Sequence, residues 1–107
     1  MSTFSALSLL ICLIMMHNVE PNYQKSYNNG YEILWRQDCD FAGNDFTNLR
    51  SLPEQCGSRC TENSNCTHFA WFNGVCYLKR STWWKIGYTA APKPNCLCGI
   101  VVSRAKG

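Results

Sequence analysis

The chain has 107 residues, with ten lysines and arginines, seven aspartates and glutamates, and eight cysteines. This length accommodates one domain with a limited core, and so many cysteines fit an oxidised disulfide scaffold rather than a cytosolic protein. The formal charge of +3 is scattered with no basic stripe, which argues against a nucleic-acid partner.

Taken in order, Met1 to Met16 is apolar, too short to span a bilayer comfortably, and N-terminal. Residues 1–20 read as a signal peptide cleaved between His17 and Tyr23, with a retained anchor as the alternative. Cys12 leaves with the signal. Residues 21–30 are polar, rich in Asn and Tyr, and read as a loose leader. The domain is expected over 31–102. Its first strand begins at Tyr31-Glu32-Ile33-Leu34-Trp35 and extends toward Phe41. Gly43-Asn44-Asp45 reads as a turn. Asp38, Asp40 and Asp45 lack the ligand spacing of a calcium loop, and no metal is expected there.

A helix follows, from about Pro53 to Glu62. Ser51 and Glu54 have the spacing of a capping box, and Pro53 falls in the first turn, where its missing N–H costs little. This helix sets Cys56 and Cys60 one turn apart on one face. Thr67 to Phe72 and Val75 to Lys79 read as strands joined by Asn73-Gly74, whose residues tolerate the positive φ of a type I′ turn. That turn pairs Phe72 with Val75, Trp71 with Cys76 and Phe69 with Leu78. One face then carries Phe69, Trp71, Cys76 and Leu78, a core face. The other carries His68, Ala70, Phe72, Val75, Tyr77 and Lys79, and is mixed. In this register Cys76 is within reach of Cys56, while Cys60 and Cys66 can close the turn after the helix. Spacing alone leaves three pairings open for these four cysteines.

Beyond Lys79, an extended Arg80 to Ile86 would point Trp83 and Trp84 to opposite faces, one into the core and one outward. The alternative is that both cover a thin core. Gly87 to Asn95, with Pro92 and Pro94, reads as a loop that cannot continue a central strand. Cys96 to Val102 reads as a last strand, and residues 103–107 as a frayed polar tail.

Several of these pieces recur together in one family. Cys39-Asp40-Phe41, Gly43-Asn44-Asp45, Cys56-Gly57 with Cys60, Cys66-Thr67-His68-Phe69 with Trp71, Asn73-Gly74 with Cys76-Tyr77-Leu78-Lys79, and Cys98-Gly99-Ile100-Val101 together resemble a PAN/apple domain, from about Cys39 to Val101. The resemblance implies an α+β fold, a curved antiparallel sheet packed around one short helix. It also implies bridges Cys56–Cys76 and Cys60–Cys66, with Cys39–Cys98 tying the ends, and a non-catalytic unit that binds protein or carbohydrate. Cys96 is then the extra cysteine. It competes with Cys98 for Cys39, and is either free and buried or joins two chains as a homodimer.

Catalytic chemistry finds little support. His68 is the one histidine beyond the signal, and no nucleophile–base set is suggested. A four-thiolate zinc site at Cys56, Cys60, Cys66 and Cys76 has unusual spacing, and oxidation would make these residues bridges. No cofactor is expected. Asn65-Cys66-Thr67 fits the glycosylation pattern, though a bridge at Cys66 would restrain that backbone. The leading expectation is a secreted, extracellular binding module without stable membrane insertion. Its candidate ligand-binding side chains are Trp84, Tyr77 and Trp83, with Lys79, Lys85 and His68 beside them. The alternatives are an extracellular structural component crosslinked through Cys96, and a small secreted effector or inhibitor.

Overall fold

The computed structural model describes residues 23–106, so the expected signal peptide lies outside the described residues. Among the described residues no helix is long and apolar enough to cross a membrane. The elements in chain order are strands β1 (Gln24–Asn28), β2 (Tyr31–Phe41) and β3 (Asp45–Arg50), helix α1 (Pro53–Thr61), strands β4 (His68–Phe72) and β5 (Val75–Lys79), helix α2 (Trp83–Thr89), strand β6 (Ala90–Val101) and helix α3 (Val102–Lys106). The strands form one antiparallel six-stranded sheet in the order β1-β2-β6-β4-β5-β3. The fold is therefore α+β, with three short helices and three disulfides among the described residues.

Two Asn-Gly turns start the sheet. Asn73 and Gly74 have φ of 53° and 87°, and the β4–β5 hairpin has the register Phe72↔Val75, Trp71↔Cys76, Phe69↔Leu78. Asn29 and Gly30, at 52° and 81°, make a second two-residue hairpin. This turn pulls the polar segment expected to be a loose leader into the sheet as β1, antiparallel to β2. Backbone pairing to β2, rather than an apolar pattern, holds it there.

Both faces of the sheet are covered. On one, α1 packs over Ile33, Phe69, Leu78, Leu97 and Val101. On the other, Phe41, Ala70, Cys98 and Ile100 pack with Ile86 of α2 and Ala105 of α3. Strand β2 contributes to both faces because its alternation is broken. Tyr31, Ile33 and Trp35 belong to the α1 face. At Asp38 the backbone turns to φ 58°, and the register jumps from Gln37↔Leu97 to Cys39↔Pro92. Asn95, at φ 66°, lies opposite this bulge and gives its backbone N–H to the Asp38 carboxylate at 3.0 Å. Cys39 and Phe41 consequently face the second layer, where Cys39 meets Cys98. Cys96, two residues before Cys98, shares that face.

Three segments depart from the sequence expectation. Trp83 to Thr89 is helical rather than extended, held by the burial of Ile86 and by the Ile86 N–H bonded to Thr82 O at 3.0 Å. Pro92 and Pro94 lie within β6, not in a loop. That half of β6 has only β2 beside it, so a missing donor is tolerated there, and pairing with β4 begins at Cys96. The tail is helix α3, and Arg104 anchors it. Its guanidinium donates to the carbonyls of Cys60, Asn63 and Cys66 at 2.7–3.1 Å and of Thr61 at 2.5 Å, and stacks 4.4 Å from the Tyr31 ring. These acceptors include the last carbonyls of α1, at Cys60 and Thr61, where intrahelical donors run out.

Helix α1 lacks the expected capping box. Leu52 occupies the cap position, and the Ser51 hydroxyl donates to Leu52 O at 2.8 Å instead. The helix is fixed by its bridges. Cys56–Cys76 and Cys60–Cys66 have Cα separations of 5.4 and 5.2 Å, and Cys39–Cys98 of 5.5 Å.

Two substitutions test this packing. A β-carbon at Gly99 would stand 2.3 Å from the Phe69 ring and 2.9 Å from Leu34 O. Gly99→Ala is expected to cost about 3 kcal/mol in urea unfolding, as overpacking against backbone that cannot give way. Arg104→Ala should cost about 2–3 kcal/mol, and Arg104→Lys should recover less than half, because an ammonium cannot span four carbonyls as the fork does.

Candidate functional site

Helix α2 projects the largest exposed aromatic group of the described residues. Ile86 is its one fully buried residue, Thr89 O accepts the Ala42 N–H at 3.2 Å, and most of its other side chains are exposed. Trp83 is 44%, Trp84 65% and Tyr88 87% exposed. Trp84 and Tyr88 are one turn apart and share a face. Two cations border the ridge: Lys85 Nζ lies 5.9 Å from the Trp84 ring and Lys106 Nζ 5.9 Å from the Trp83 ring. Of the expected ligand-binding residues, Trp83, Trp84 and Lys85 are thus gathered on one short element. Tyr88 and Lys106 join them, brought there by the helical turn and by α3.

The other three candidates lie elsewhere. Tyr77 is half-buried within β5, between β3 and β4. His68 and Lys79 are buried in the second layer, at 0% and 3% exposure, and are not available to an outside ligand. The mixed face of the hairpin is buried because α2, α3 and the β2 end beyond the bulge cover it. Lys79 donates there to the Asp45 carboxylate and to Gly43 O, the latter at 3.0 Å. His68 Nδ1 shares a hydrogen bond of 2.8 Å with the Thr67 hydroxyl, and the ring stands edge-on to Phe41 at 5.3 Å. Its Nε2 is buried with no partner among the described residues. Burial and then the Lys79 charge lower the His68 pKa from 6.5 to about 4, against a smaller opposite pull from Asp45.

Cys96 is a free thiol, 1% exposed in the same layer, and burial raises its pKa. Cys66 is buried in its bridge, while Asn65 is exposed and accepts from Arg80 Nη1 at 2.7 Å. Among the described residues no three His, Cys, Asp or Glu side chains are gathered to hold a metal ion.

The opposite side of the molecule carries a groove. Its first part, about 310 Å³, runs between α1 and the β1–β2 strands, lined by Trp35, Asn28, Gln37, Pro53 and Glu54 among others. A second part, about 590 Å³, shares Gln37, Pro53 and Leu97 and continues past Trp71 to Asn73 and Asn95. The Trp71 indole N–H is fixed on Ser51 O at 2.7 Å. The sequence places Trp71 on the core face, and it packs there against the α1 layer while also lining the groove; Trp35 has no expected role. The first part of the groove exists only once β1 is in the sheet, and Asn29-Gly30 is the signal for that.

The chain matches no protein-family model and no curated protein.

The buried imidazole makes stability depend on pH with a definite sign. The folded pKa of about 4 lies below the unfolded 6.5, so the native state binds fewer protons. The contribution is complete above pH 6.5 and is lost progressively as pH falls to about 4, amounting to about 3 kcal/mol. Urea unfolding at pH 7, 5.5 and 4.5 should show this decline, and His68→Leu should flatten it.

Proposed function

We propose that this chain is a secreted, non-catalytic binding module of the PAN/apple type that engages an extracellular protein or carbohydrate. The observation that carries the reading is the ridge of Trp83, Trp84 and Tyr88, held outward on α2 with Lys85 and Lys106 at its edges. Large, stiff aromatics with polar tips lose little conformational entropy on binding and supply most of the energy where they are anchored. The bridges Cys56–Cys76, Cys60–Cys66 and Cys39–Cys98 join the positions that the family resemblance implies, which supports the same reading. The buried state of Cys96 favours a chain that works without an intermolecular bridge there. This lowers the weight of the crosslinked structural component.

Protein produced in an oxidising host, screened against extracellular proteins and glycans, tests the reading. Trp84→Ala is expected to weaken the interaction at α2 by more than about tenfold while leaving the unfolding free energy within about 0.5 kcal/mol of the parent. On a non-reducing gel the parent should migrate as a monomer. A dimer that disappears on reduction and in Cys96→Ser would return the structural reading to first place.

A further inference from the structure

The groove over Trp35 differs in chemistry from the α2 ridge. All ten lysines and arginines lie among the described residues, against six aspartates and glutamates there. Yet no lysine, arginine or histidine lines either part of the groove, and its charged linings are the carboxylates of Glu54 and Asp38. Lys93 stands over the ring of Phe72, one of the second part's linings. The rest of the lining is largely apolar and includes two half-buried indoles, Trp35 and Trp71, together with small polar groups and amides, among them Asn28 and Gln37.

Such a lining suits a particular ligand class. Flat apolar faces stack on the C–H faces of sugar rings, while amides both accept from and donate to hydroxyls and carboxylates accept from them. An anionic chain would meet two carboxylates and no cation among the lining residues, Lys93 standing beside the second part only, and would leave most of its charge unpaired on entry. The frame is rigid where this matters. Gly57 lets α1 approach Ile33, where a β-carbon would come within 3.1 Å of its side chain. Trp35 stands opposite Gly99 in the β2–β6 register, with no side chain across from it. The volumes of about 310 and 590 Å³ are in the roughly 300–1,000 Å³ range of small-ligand sites.

We propose that the groove between α1 and the β1–β2 strands binds a neutral oligosaccharide, stacked on Trp35 and hydrogen-bonded by Gln37 and Glu54. This rests on the reading of the chain as a binding module and adds a second surface to it, with a ligand preference opposite to that of the lysine-edged ridge.

The test uses the full secreted chain, displayed as a streptavidin tetramer to raise avidity, on an array of neutral oligosaccharides and heparin-derived tetrasaccharides. A neutral hit is then titrated against the monomer by calorimetry. The expected result is binding to neutral chains, weakened about tenfold by Gln37→Ala, the loss of one hydrogen bond, and by Glu54→Gln, which turns a charge-assisted hydrogen bond into a neutral one. Both side chains are exposed, so neither change should alter the near-ultraviolet circular dichroism. Trp35→Ala, more disruptive to packing, should abolish binding. Three results would overturn the inference: binding only to the heparin tetrasaccharides, neutral binding lost in Trp84→Ala but kept in Gln37→Ala and Glu54→Gln, or no glycan bound by folded tetramer. Capture of a protein that depends on Trp84 would, in the last case, leave the binding-module reading standing without the groove.

Discussion

Six successive residues of β6, Cys96 to Val101, are buried, and a strand can be dry on both sides only when both faces of its sheet are covered. The rest of the architecture answers that requirement. Helix α1 closes one face, and α2 with α3 closes the other. Strand β2 must serve both, and a plain alternating strand could not. The bulge at Asp38 and Asn95 solves this by reversing the alternation partway along, so that Ile33 and Phe41, both odd-numbered, point to opposite layers. The bridge between Cys39 and Cys98 depends on that reversal, since without it Cys39 would share the layer of Ile33.

The two layers are built by different means. The α1 layer is crosslinked, with two bridges fixing a nine-residue helix of low intrinsic stability. The second layer carries one bridge, a buried Lys79 paired with the exposed Asp45, and a histidine whose pKa burial lowers to about 4. Helix α2 rests on this layer through one fully buried side chain, Ile86, and through the Ala42 N–H donated to Thr89 O at 3.2 Å. A helix held at so few points has little reason to turn its remaining apolar residues inward, which is how its indoles come to face solvent. The same economy that leaves α2 thinly anchored produces the aromatic surface.

Legibility in the sequence followed the range of the forces involved. The β4–β5 hairpin was readable, because Asn73-Gly74 fixes a register by local geometry and the alternation of four residues assigns a face. Helix α1 was readable from Pro53 and from the spacing of Cys56 and Cys60, although its cap was not, since Ser51 is drawn into the strand-to-helix connection. Strand β1 was hidden by its polarity, because pairing rather than apolar burial holds it. Helix α2 was hidden by its tryptophans, which favour extended backbone locally, while burial of Ile86 decides the outcome. The prolines of β6 misled because whether a missing N–H matters depends on which neighbour strand lies beside it. Of the candidate site, aromatic identity was visible at Trp83 and Trp84. The withdrawal of His68 and Lys79 into a second layer was not, for it depends on segments distant in the chain.

The position of β6 in the chain order bears on how the molecule is assembled. It is the last strand, yet it lies between β2 and β4, and α3 after it reaches back to the end of α1 through Arg104. A chain emerging from its N-terminal end therefore exposes two hairpins and a helix that cannot yet join. The early cysteines Cys56, Cys60, Cys66 and Cys76 can find one another before β6 arrives, while Cys39 must wait for Cys98. The sheet closes by insertion of a final strand between two waiting edges, a non-local pairing of the intrinsically slow kind, and those edges stay open to other chains until it is complete.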